Sequence, residues 1–254
     1  MQTRDQPGAR EQADRARRRR YQLGGLVVTV ALVAIVLVTV LGAGSTSQLA
    51  PGKPVPGAKP TLALLGGIPQ QGTSLGSPQA PATMVEFGDL QCPTCAQFAV
   101  QALPQIIKRY VRTGRLRLSL NVLDFLGSDS TRAASMALAL AQQNRMWQFA
   151  ELMYRNQGLE QSGFVTERYL RALASAIPGV DVSGALATRS SRAVREQLQQ
   201  AKARARAAHV SSTPSFLLAR AGAAPRRFSP SGTDLGSFDA ALKDLLGGRE
   251  TSGT

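Results

Sequence analysis

Two cysteines two residues apart, in Cys92-Pro93-Thr94-Cys95, carry the strongest chemical signal in this chain, and they are its only cysteines. A pair at this spacing can close to a disulfide and reopen by exchange with other thiols, a thiolate attacking sulfur in each step. The stretch Val85-Glu86-Phe87-Gly88-Asp89-Leu90-Gln91-Cys92 leads into the pair. Thr83 to Phe87 is short, largely apolar and β-prone. Beyond Gln91 the apolar residues Phe98, Leu103, Ile106, Ile107 and Tyr110 fall near helical spacing. Pro93 takes the first helical position, where its missing N–H costs nothing. This predicts Cys92 as a helix cap, its sulfur facing free backbone N–H groups and the positive end of the helix dipole. Both favour the reactive thiolate. Cys95, about one turn further in, is expected to be less exposed and placed to attack a mixed disulfide on Cys92.

Other readings of the pair are a structural disulfide, two inert core thiols, or half of a zinc site. A vicinal pair closes a tiny loop and constrains little of the unfolded chain, so it is a poor stabilising framework. With two cysteines and one histidine, the chain cannot build a four-ligand Cys/His zinc site by itself.

The elements around the pair must therefore present it. With its surroundings it resembles the active site of the thioredoxin superfamily, in the DsbA-like branch with a membrane anchor (the BdbD type). That branch carries a Glu six residues before the first Cys, here Glu86, followed by a Phe, here Phe87. It also carries a Thr-Pro or Val-Pro pair far downstream with the proline in cis, here Thr213-Pro214 before the strand-like Ser215-Phe216-Leu217-Leu218. Phe125 to Ser130 and Met146 to Met153 resemble the opening and the second helix of its inserted helical subdomain. The match spans roughly residues 61–246, and it departs at Thr94, where DsbA itself has His.

The resemblance implies an α/β thioredoxin fold with a helical insertion at about residues 126–209, and a thiol–disulfide oxidoreductase needing no cofactor or metal. It implies that Glu86 lies under the cysteines and handles the proton of Cys95. Thr213 and Pro214 would lie against the pair, the Thr213 backbone pairing with an extended substrate. Pro93 and Thr94 would tune the potential. The implied partners are exported cysteine-containing proteins and a quinone-linked thiol oxidase in the membrane.

The net charge of +14 suggests nucleic acid at first sight. Its source is more local: residues 1–20 hold seven Arg against three acids, and no Asp or Glu follows until Glu86. Leu23 to Ala43 is an unbroken uncharged run rich in Val and Leu, about 31 Å long as a helix. The arginines before it place the N-terminus in the cytoplasm by the positive-inside rule. A signal peptide is the rival reading, since Ala43-Gly44-Ser45 is small enough for cleavage, but secretory apolar cores are shorter. The expected layout is a basic cytoplasmic tail over 1–22, a transmembrane helix over 23–44, a Pro/Gly-rich linker over 45–60, the catalytic domain over 61–247 and a frayed tail over 248–254. Outside the cytoplasm disulfides persist, and nucleic acid is not an expected partner.

Within the domain, Ile68 to Gly72 reads as an edge strand, Arg115 to Val122 as a strand alternating Arg, Leu and Ser, and Phe216 to Ala219 with Arg226 to Ser229 as a hairpin. Helices are expected from Cys92 to about Arg112 with a bend at Pro104, over Asp129–Gln143 capped by Ser128 or Asp129, over Arg145–Asn156, Thr166–Ala176 and Gly184–Ala208, and over Ser237–Leu246. Trp147, Phe149 and Tyr154 read as core rather than a peptide-binding surface. The basic run Arg189 to Arg206 reads as a solvated face, with anionic lipid headgroups as the alternative. His209 sits either near the cysteines or at the surface. Three rival functions stand beside an oxidase: a reductase or isomerase on the same fold, a membrane-tethered binding module without activity, and a metal site shared between two chains.

Overall fold

In the computed structural model, residue 49 and residues 52–247 are described. The expected cytoplasmic tail, transmembrane helix and C-terminal tail lie outside them, as do residues 45–48, 50 and 51 of the expected linker. Among the described residues no helix is long and apolar enough to cross a membrane.

The first helix among the described residues, α1 (Ala58–Leu65), begins inside the stretch expected as linker. Val55 is already buried in the core, and Asn156 donates to the Pro56 carbonyl at 3.0 Å. Gly57, at φ 76°, turns the chain into the helix. The expected edge strand shrinks to β1 (Gln70–Gln71), which leaves Pro69 outside the ladder, and β2 (Ser74–Leu75) follows.

The centre of the sheet is β3 (Ala82–Asp89) beside β4 (Leu116–Leu123), parallel, with Glu86 opposite Leu120. On its other side lies β5 (Ser215–Arg220), antiparallel, with Glu86 opposite Phe216, and β6 (Arg226–Phe228) closes the hairpin. The order across the sheet is β1-β2-β4-β3-β5-β6.

The expected helix from Cys92 to Arg112 is segmented into α2 (Pro93–Gln101), α3 (Leu103–Ile106) and a π-helical turn over Ile107–Val111. Pro104 near the start of α3 cannot donate into the preceding turn. The Arg112 N–H then reaches back five residues to the Ile107 carbonyl at 2.9 Å.

Five helices stand between β4 and β5. They are α4 (Ser128–Ala141), α5 (Met146–Arg155), α6 (Glu167–Ser175), α7 (Val182–Thr188) and α8 (Arg192–Ala207). Gly127 rather than Ser128 or Asp129 caps α4; Asp129 sits buried in the first turn, where Gly163 N–H donates to it at 2.8 Å. The single helix expected over Gly184–Ala208 is broken, because Ser191 is extended and its hydroxyl accepts from Val194 N–H as a fresh N-cap. The last helix is α9 (Gly236–Gly247).

Trp147, Phe149 and Tyr154 are all buried, as their spacing predicts. On one face of the sheet Phe98, Phe216 and Phe238 meet with ring centroids 4.9–5.0 Å apart, tying α2 and α9 to β5. On the other face α8 lays Ala201 and Ala205 over Phe87 and Leu123. The polar side of α8 is basic and largely solvated, though Lys202 pairs with Asp124 at 2.9 Å and Arg204 donates to Asn121 at 3.0 Å.

Candidate active site

The turn from β3 into α2 is held by a buried carboxylate. Asp89 accepts from the Gln91 N–H at 2.9 Å, the Ser130 hydroxyl at 2.6 Å and the Leu126 N–H at 3.2 Å. The Gln91 amide donates to the Leu126 carbonyl at 2.8 Å and accepts from the Gln161 N–H at 2.9 Å. From the loop just past α5, Gln157 donates to the Leu90 and Cys92 carbonyls at 2.9 and 3.3 Å. The helical insertion thus fixes the backbone that carries the first cysteine. Sequence reasoning did not single out Asp89, Gln91, Ser130 or Gln157 for this work. The available signal was the placing of Asp89 and Gln91 inside an otherwise apolar strand end.

Cys92 is the N-cap of α2, extended at φ −69° and ψ 121°, with Pro93 behind it. It is the more accessible of the pair, as expected, but at 7% it is itself buried, with the loop before β5 lying against it. In that loop the Thr213-Pro214 peptide is cis, and the Cys92 thiol donates to the Thr213 carbonyl at 3.3 Å. Cys95 is fully buried one turn in. Both cysteines are free thiols.

The two thiols are electrostatically unlike. Cys92 is lowered to about 6, first by its hydrogen bond from Cys95, then by the Thr213 side chain and by the N–H groups of Cys95 and Thr94, with burial opposing. The helix-end N–H groups contribute as expected, but the neighbouring thiol contributes more. Burial pushes Cys95 well up, and its bond to Cys92 and the charge on Glu86 add to this.

Glu86 lies on the central strand, 3% exposed, and is raised to about 8 by burial first, then by Glu151 and Cys92. Thr94, Thr213 and Pro214 line a groove of about 320 Å³ over Phe98, Phe216 and Phe238. The structure therefore gathers Glu86, Cys92, Pro93, Thr94, Cys95, Thr213 and Pro214 at one end of the sheet. His209 is not among them. It lies two residues past the end of α8, with φ 53°, and borders a separate cavity of about 560 Å³ with Val85, Phe87, Arg204 and Leu217. Among the described residues no group of three His, Cys, Asp or Glu is placed to hold a metal ion.

Residues 70–222 match the family model described as Thioredoxin. A probable disulfide bond formation protein D of Bacillus cereus is 31% identical over 145 residues, 56% of this chain and 67% of that protein. Its Bacillus anthracis counterpart is 30% identical over the same shares of the two chains. Among solved structures, oxidised BdbD from Bacillus subtilis superposes with a TM-score of 0.63 at 21% identity, covering 71% of this chain and 98% of its own. DsbA of Chlamydia trachomatis gives 0.58 at 20%, covering 68% and 90%. At these identities the likeness to solved structures is one of fold.

Proposed function

Because the chain belongs to the DsbA-like branch of the thioredoxin family and is a thiol–disulfide oxidoreductase, we propose that Cys92 and Cys95 are its redox pair and that it introduces disulfides into exported proteins. An anchor over residues 23–44 holds the domain outside the cytoplasmic membrane, with the N-terminus in the cytoplasm, the domain over 61–247 and the helical insertion over 126–209. A quinone-linked thiol oxidase in the membrane reoxidises it.

One observation carries this reading: the opposite displacement of the two thiols, Cys92 down to about 6 and Cys95 up. In the oxidising direction a substrate thiolate attacks Cys92. The Cys92–Cys95 bond breaks, and its electron pair goes to the Cys95 sulfur. Cys95 is the poorer thiolate and needs a proton. Glu86, raised to about 8, still carries one at neutral pH and supplies it. A second substrate thiolate then attacks the substrate sulfur of the mixed disulfide, and Cys92 leaves readily because it is stable as a thiolate. The substrate gains a disulfide and the enzyme ends as a dithiol. The Thr213 backbone pairs with the substrate chain, and Thr94 and Pro214 border the groove that receives it.

The test is stoichiometric oxidation of a reduced, cysteine-containing test protein by the oxidised chain. One disulfide should form per molecule consumed. Cys92→Ser should abolish the reaction. Cys95→Ser, joined to a substrate thiol through Cys92, should persist as a mixed disulfide visible on non-reducing gels. Transfer by the Cys92→Ser variant at the wild-type rate would remove the proposal.

A further inference from the structure

Behind the cysteines, three polar atoms end in the interior without a hydrogen-bond partner: Glu86 Oε1, Glu151 Oε1 and the Tyr154 hydroxyl. They come from two parts of the fold, Glu86 from β3 and the other two from α5 of the helical insertion. The three residues are 3%, 1% and 5% exposed. Gly88 marks where β3 and α5 meet. A Cβ there would stand 2.9 Å from both Glu86 Oε1 and the Tyr154 hydroxyl, with Leu120 Cδ1 at 3.3 Å. Absence of a side chain at Gly88 leaves room for a carboxyl and a phenol to share that space.

The charges around Glu86 are unbalanced. The flanking strands offer Leu120 and Phe216 opposite it, neither charged. α2 and its cap supply Cys92 and Cys95, β3 supplies Asp89, and α5 supplies Tyr154 and Glu151. Lys59 on α1, which packs against α5, is exposed. The cation in the cluster is Arg155, 3.5 Å from Glu151 Oε2 and paired with that carboxylate.

We propose that Glu86 and Glu151 form a proton-sharing carboxylate pair bridging the sheet and the helical insertion, in which Glu151 is a positioning residue that keeps a proton on Glu86 for delivery to Cys95. This rests on the reading of Cys92 and Cys95 as the redox pair. Two carboxyls in one dry compartment cannot both ionise cheaply, so they titrate as a unit. Glu151 is the largest contribution after burial to the raised Glu86, and burial lifts Glu151 itself to about 7 against the pull of Arg155. When Cys95 leaves the disulfide it takes the Glu86 proton. The negative charge this creates on Glu86 is disfavoured by Glu151, so the pair rebinds a proton from solvent. On reoxidation the steps reverse, and Glu86 accepts the proton that Cys95 gives up.

The test uses the full chain in its dithiol form, labelled with ¹³C at the glutamate side-chain carboxyls and titrated across about pH 4 to 10. Glu151→Gln should move the Glu86 midpoint down by roughly one pH unit, about tenfold in proton affinity. Glu86→Gln should move Glu151 down by the same amount, since coupling is reciprocal. The pH at which the cysteine potential changes slope should move down with the Glu86 midpoint, which a role confined to packing would not produce. Should Glu151→Gln not fold, the Glu86→Gln shift carries the test alone. An unmoved midpoint in either folded variant, or shifts that are not reciprocal, overturns the pair. The carboxyl titration is independent of the direction of disulfide transfer. Loss of the oxidase reading would leave it standing, and loss of the pair would leave the oxidase reading standing.

Discussion

Cys92 and Cys95 share a helix turn but not an environment, and the difference is measurable residue by residue. Alkylation of Cys92 should titrate with a midpoint near 6, reactive above it, while Cys95 stays unreactive at neutral pH. Because the Cys95 hydrogen bond is the largest cause of the lowering, Cys95→Ala should move the Cys92 midpoint up toward the ordinary thiol value of 9.0. An unchanged midpoint would transfer the credit to the helix end. Thr94 offers no positive charge, so Thr94→His should lower the Cys92 midpoint and raise the reduction potential; no change in either would remove that argument.

Glu86 carries a stability consequence of known sign. Its folded value near 8 lies above the ordinary 4.5, so the folded state holds the proton more tightly. Its contribution is intact below about 4.5 and is lost as pH rises toward 8. Glu86→Gln should therefore raise the melting temperature at pH 8 and leave it nearly unchanged at pH 4, as read by paired thermal melts. Equal effects at both pH values would mean the carboxyl is not held protonated.

At the scale of elements, the joint between β3, α2 and the helical insertion is where stability and site meet. Ser130→Ala removes the 2.6 Å bond to Asp89 and should cost about 1–2 kcal/mol, with faster amide exchange over residues 89–92. Gly88→Ala should cost about 1–3 kcal/mol, since its Cβ would meet Glu86 and Tyr154 at 2.9 Å.

This joint also marks the limit of what the chain's pattern reveals. The strand–cysteine–helix unit was legible because apolar spacing, Pro93 and the two cysteines are local signals. So were the buried aromatics of α5, whose spacing matches one helix face. The break at Ser190-Ser191 was masked by the alanine and arginine run that continues beyond it, although Ser191 is an ordinary N-cap. Glu151 and Asp89 were not legible as site residues. Glu151 reads as half of an i,i+4 pair with Arg155, and only the packing of α5 against α1, α2 and α4 turns it inward. The covering of Cys92 depends on a loop 121 residues away, which no local pattern places.

At the scale of the whole molecule, our proposal assigns the chemistry to the described domain and its location to an anchor in the sequence before it. A chain lacking residues 1–44 should partition to the soluble fraction while the full chain stays with membranes through alkaline extraction. Recovery of the full chain as soluble protein would contradict the anchor and favour a cleaved leader.

The central claim is that this thiol pair donates disulfides, and it depends on how far the dithiol form is favoured. The reduction potential of the Cys92/Cys95 pair in the full chain, equilibrated against glutathione buffers, tests it most directly. A thiolate held near 6 at Cys92 stabilises the dithiol, so the expected value is about −120 to −180 mV, toward the DsbA end of the scale. A value near −270 mV, like that of thioredoxin, would make the protein a reductant and contradict the account.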